Sequence, residues 1–261
     1  MKKMRSRNLK TQARILLEGQ YGFLALITFI MLMAQTFLNS VIEFAFPVSS
    51  IPNSSLLHFA CSLLSNILFV ILLAGTYRIY LKLMRRQPLE KNDLFFGFSN
   101  QPEQIAIYGL IRFILYYSFS QTLTWFLKQA ADPEPSLPLP FCLLILLLVT
   151  GFALYLHLTF SMVLYLYCDS PWKKAPDLLK ESNQIMAGNR FRFLLLNLSF
   201  VGIRMLGALS FGIGLLLIEP YINMTITLFY DNLINPDTGD AEIPAPEHTE
   251  DFHNKGGAFQ A

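Results

Sequence analysis

Six separate stretches of the chain, residues 23–46, 56–79, 105–127, 141–167, 191–210 and 213–234, are each apolar enough and long enough to cross a lipid bilayer. A hydrocarbon core about 30 Å thick takes about 20 helical residues. Lipid offers no partner for backbone amides, so such runs become helices that satisfy their own hydrogen bonds. The expected fold is all-α: a polytopic transmembrane helical bundle with six spans as three hairpins and short amphipathic cytoplasmic segments. Residues 1–234 make the six-helix membrane domain, and residues 235–261 an acidic, disordered cytoplasmic tail.

Hydrophobic residues are 53% of the chain and charged ones 15%, below the quarter or so of soluble domains. The 23 Phe and 11 Tyr suit lipid contact and interfacial belts. Cys61, Cys142 and Cys168 form no disulfide or metal pattern and read as small apolar fillers.

Basic residues fall on one set of connections. The leader holds Lys2, Lys3, Arg5, Arg7, Lys10 and Arg14. The connection after the second span holds Lys82, Arg85, Arg86 and Lys91, with Arg78 at the span's end. The connection after the fourth holds Lys173, Lys174, Lys180 and Arg190, with Arg192 opening the fifth span. The opposite connections hold only Lys128. Basic loops stay cytoplasmic, so both termini are expected in the cytoplasm. Read as one helix, residues 191–234 would run about 66 Å, twice the bilayer, so a tight glycine turn in the short link of residues 211–214 is expected. The rival has five spans with residues 213–234 on the outer surface, since Glu219 and Pro220 weaken the last span. A secretory signal is disfavoured because the first apolar run is too long and lacks a small-residue cleavage site.

In the leader, Leu9, Ala13, Leu16 and Leu17 share one helical face while Arg7, Lys10 and Arg14 share another. That suits a helix in the headgroup layer drawn by anionic lipid, or an ordinary positive-inside signal. Lys173 and Lys174 are the matching headgroup candidates before the fifth span. Aligning Gly188 with Gly19 sets Ile185 and Met186 opposite Leu16 and Leu17, and residues 93–98 fill the same place before the third span. Three copies of an in-plane segment plus a hairpin, or three unrelated amphipathic linkers, both fit.

These pieces carry a family resemblance: Leu9, Lys10, Ala13 and Gly19; residues 93–98; residues 165–171; Glu181, Ser182, Ile185, Met186 and Gly188; residues 198–202; Gly212 and Gly214; Pro220 and Tyr221; Phe229 and Tyr230. In this order the chain resembles the bacterial integral-membrane family known as domain of unknown function number 975. The resemblance implies a six-helix protein of the bacterial cytoplasmic membrane and supplies no reaction, ligand or catalytic residue. Two departures from the family pattern are Ile203 and Arg204 after Gly202, and Glu219 before Pro220. Arg204 and Glu219 lie about equally far from the glycine turn, so an antiparallel hairpin brings them together as an intramembrane ion pair.

Other ionisable groups within the spans are Glu43 and Arg112, which snorkelling explains, and His157. The His157 ring either bonds a neighbouring helix or joins a polar path. No phosphate loop, H-E-x-x-H, paired-Cys motif or nucleophile elbow is present. Residues 169–171 read as a helix start or, with Lys173 and Lys174, a headgroup contact. His248 to His253 in the tail reads as solvated chain before metal chelator. The expected protein is therefore non-enzymatic and without cofactor. Its structural, assembly or regulatory role would be played by basic cytoplasmic segments that engage anionic lipid, a membrane-protein partner or a second copy, with no nucleic acid. The alternative is a small-solute transporter or channel with a polar path near Arg204, Glu219 and His157.

Overall fold

The computed structural model describes residues 6–46, 54–90, 92–132, 137–210 and 212–235. The tail from residue 236, the first five residues, Lys91 and Phe211 lie outside them, as do most of the two longer connections opposite the basic ones. The described chain is helical, with no strand among the described residues. Its α-helices are α1 (Ser6–Leu17), α2 (Tyr21–Ala45), α3 (Ser54–Met84), α4 (Phe96–Ser99), α5 (Pro102–Ala131), α6 (Leu139–Thr159), α7 (Val163–Asp169), α8 (Ala175–Met186), α9 (Arg190–Leu209) and α10 (Ile213–Ile234). A 3-10 turn, Asp93–Phe95, leads into α4.

Four helical segments are long and apolar enough to cross a membrane: Tyr21–Ala45, Leu56–Met84, Leu139–Asp169 and Arg190–Leu209. Helices α5 and α10 match them in length but carry more polar side chains, among them Glu103, Arg112 and Gln121 on α5 and Glu219, Asn223 and Asp231 on α10.

The long helices pair as the antiparallel hairpins α2–α3, α5–α6 and α9–α10, and a short segment precedes each one. The segments share a stop signal. Gly19 and Gly188 take φ of +80° and +75° just after α1 and α8, the left-handed geometry that closes helices at least cost to glycine. Before α5 the corresponding left-handed residue is Gln101, at φ +50°, followed by Pro102 in the first turn, where proline's missing N–H costs nothing. Each segment packs on the second arm of the hairpin before it: α4 on α3, and α8 on α7 and the end of α6. The first segment, α1, packs on α10 and closes the ring. Leu9, Ala13 and Leu17 of α1 are fully buried, and so are Leu178, Ser182 and Met186 of α8. The two triples occupy the same places relative to Gly19 and Gly188.

One expected span is broken. Residues 141–167 form two helices, α6 and α7, separated at Phe160, Ser161 and Met162. No proline or glycine causes the break. Instead the buried Ser182 hydroxyl of α8 donates to the Thr159 carbonyl at 2.7 Å, occupying the acceptor that Val163 N–H would have used.

The buried core gathers at the end of the bundle that carries the basic segments. It draws on Val70 to Leu81, Leu158 to Cys168, Leu196, Phe200 and Tyr221 to Tyr230. At its centre the Tyr77 and Tyr165 rings meet edge-on at 4.6 Å, and Tyr165 stacks on Tyr230 at 4.9 Å. Beyond this core, α2, α3, α5 and α6 project with large apolar side chains turned outward, Phe44 being 91% exposed.

Candidate polar cleft and groove

Within the projecting helices, polar residues recur every fourth position. Helix α2 carries Gln35, Asn39 and Glu43; α3 carries His58, Ser62 and Asn66; α5 carries Arg112, Tyr116 and Ser120. Residues four apart share a helix face, so each helix presents one polar stripe. The three stripes converge on a cleft of about 620 Å³. Edge-on ring contacts from Phe59 to Phe113 and Tyr117, at 5.4 and 5.1 Å, hold α3 against α5 beside it.

The cleft is chemically unfinished. Gln35 Nε2 donates to Asn39 Oδ1 at 3.4 Å, yet Gln35 Oε1 and Asn66 Oδ1 are buried with no hydrogen-bond partner among the described residues. Leaving such an acceptor bare costs about 1–3 kcal/mol, which a bound water or solute removes. Arg112 makes no hydrogen bond or ion pair among the described residues; Glu43 lines the same cleft but is not within ion-pairing distance. Arg112 lines this cleft, whose rim is exposed at Tyr116. Arg112 and Tyr116 also border a second space, an α5–α6 groove of about 390 Å³ that contains His157.

Most cations of the basic end have partners. Lys82 meets Asp93 at 2.7 Å, and Arg78 approaches the same carboxylate at 3.6 Å. Arg78 also lies over the Phe96 ring at 4.0 Å and donates to the Cys168 carbonyl at 3.2 Å. Arg85 grips Asp169 with two bonds, and Tyr230 donates to the same carboxylate. The Arg85 guanidinium is held above its usual pKa by its bond to Asp169.

The headgroup candidates divide. Lys10 donates to Ser199 at 2.8 Å and sits over Phe200; burial, then Arg14, lowers its pKa. Arg14 lies over Tyr221, and Lys173 pairs with Glu181 at 2.7 Å. Arg7 and Lys174 are exposed.

Arg204 Nε meets Glu219 Oε1 at 3.0 Å, and a second guanidinium nitrogen meets Oε2 at 3.2 Å. The pair lies beside the start of α2: the Tyr21 hydroxyl donates to the Leu217 carbonyl at 2.8 Å, on the turn that Pro220 disturbs. Arg204 and Glu219 meet each other, and His157 lines the α5–α6 groove. Gln35, Asn39, Ser62, Asn66 and Ser120 escaped the sequence reading because each is neutral and unremarkable alone. Their spacing of four was the available signal.

Fold and cleft together define an all-helical protein with helices long and apolar enough for a membrane and a polar recess between them. The family model described as Protein of unknown function (DUF975) matches residues 1–236. The chain belongs to that family. No curated protein and no solved structure matches it.

Proposed function

We propose that this is a multi-pass protein of the bacterial cytoplasmic membrane, non-enzymatic, that takes a small polar or charged solute into the cleft between α2, α3 and α5. Its six long helices enter the bilayer as three hairpins with both chain ends on the cytoplasmic side. The α9–α10 hairpin is the shallowest, because its Leu217 carbonyl meets the first residue of α2. Support for the membrane comes from the large apolar side chains that α2, α3, α5 and α6 turn outward, a surface far beyond the few hundred Å² of a soluble monomer. Support for the orientation comes from the basic residues gathered at one end.

The observation that carries the solute reading is Arg112, a cation without a protein partner where three polar stripes meet. An ionisable residue at such a place marks a ligand or ion path by default. The competing role, membrane assembly or regulation through basic segments, keeps Arg7 and Lys174 as free contacts. It is weakened because Lys10, Lys82, Arg85 and Lys173 are engaged within the chain.

Cysteine labelling on intact cells tests the reading. In a Cys61→Ser background, Ser62→Cys should react with a membrane-impermeant maleimide. Leu64→Cys, on the exposed apolar face of the same helix, should not. Equal reactivity at the two positions, or none at Ser62→Cys, sinks the cleft.

A further inference from the structure

The α5–α6 groove differs in character from the cleft it adjoins. Its walls are mainly apolar, with Leu115, Phe119, Leu154 and Phe160 among them. Its donors are Arg112, His157, Tyr108 and Tyr116, and no carboxylate lines it. At about 390 Å³ it falls within the range of small-molecule sites. The unpaired Arg112 guanidinium stands at its border with the polar cleft. A cation kept there without a partner is costly, and an anion brought to it relieves that cost. Tyr116 and Leu154 on its rim are exposed, so in the proposed membrane the groove opens toward lipid, where an alkyl chain lies without cost and a bare inorganic anion does not.

We infer that the groove binds a single-chain amphiphile with an anionic head, its head against Arg112 and His157 and its chain along Leu115, Phe119 and Leu154. The inference rests on the solute reading above and narrows its ligand class. The cleft keeps the head in contact with water while the groove shelters the chain. Arg112 belongs to both and sets the position of the head.

The test uses the full chain in phosphatidylcholine nanodiscs, titrated with dodecyl phosphate and followed by its melting temperature. Dodecyl phosphate should raise that temperature, while inorganic phosphate and dodecyl trimethylammonium at the same concentration should leave it unchanged. Arg112→Gln should weaken the apparent affinity at least tenfold. Ala153→Phe, which fills the groove and leaves Arg112 in place, should do the same and decides the matter if Arg112→Gln fails to fold. Equal responses from wild type and both variants overturn the inference. So does a response to inorganic phosphate that matches dodecyl phosphate, which would leave a soluble anion in the cleft and the broader reading intact. Loss of the Ser62→Cys labelling with dodecyl phosphate binding retained would instead sink the broader reading alone.

Discussion

Arg85 and Asp169 face each other with two nitrogens on two oxygens, at 2.6 and 2.9 Å, and so tie the end of α3 to the end of α7. Tyr230 donates to the same carboxylate at 2.9 Å and brings in α10. One acidic side chain thus joins the second arms of all three hairpins. Asp169→Asn keeps the shape but removes the charge both partners need. It should cost about 1–3 kcal/mol, the range for disrupted bonds to a charged group. Thermal unfolding in detergent, with Arg85→Ala and the double variant, should show clear non-additivity. Simple additivity would mean the three helices are not joined through this group.

The Arg204–Glu219 pair should matter less. Its side chains are about as exposed as those of Arg85 and Asp169, but among the described residues no buried tyrosine joins the carboxylate, and an accessible ion pair by itself is worth about 1 kcal/mol or less. A double-mutant cycle on Arg204→Ala and Glu219→Ala should give a coupling of that size. A coupling of several kcal/mol would mean that the pair is far better shielded than its exposure in the structure.

Gly75 and Gly97 let α4 lie directly on α3. A Cβ at Gly75 would strike the Leu94 carbonyl, and one at Gly97 the Ile71 carbonyl, both of them backbone. Alanine at either position should cost about 3 kcal/mol or more, since neither obstacle is a movable side chain. Gly202 has nothing within 4 Å of its Cβ position, and alanine there should be neutral or gain up to about 1 kcal/mol from helix propensity. Folded yield and melting temperature of the three variants give the ranking, and an equal loss in all three would contradict the packing.

Gly19 and Gly188 should respond alike. Both have positive φ and open space around them, so alanine adds backbone strain without a clash, about 1–2 kcal/mol at each. If Gly188→Ala destabilises and Gly19→Ala does not, α1 and α8 are not equivalent parts of one repeat.

The likeness of α1 to α8 was legible from little. Aligning two glycines and two apolar pairs predicted related segments, and the buried triples of α1 and α8 fall into the same register. Those glycines are readable because left-handed backbone leaves few other choices of residue. The break between α6 and α7 was not readable, since one hydroxyl that bonds the helix end there comes from Ser182, far along the chain. The polar stripes were missed for another reason. A charge read singly carries no face, so Arg112 reads as a snorkelling side chain until it is set beside Tyr116 and Ser120, four and eight positions on. Arg204 and Glu219 could be paired from their distances to the glycine turn, but their depth could not. The contact beside them, from Tyr21 to the Leu217 carbonyl, joins parts of the chain nearly two hundred residues apart.

The ring of short segments also dictates an order of events during biosynthesis. Two of the segments find their docking arm already made as they leave the ribosome. The third, α1, does not: its buried residues Leu9, Ala13 and Leu17 belong to a helix that packs on α10, which is made much later. The apolar face of α1 must therefore wait, as the chain is made, for a helix that lies some two hundred residues further on.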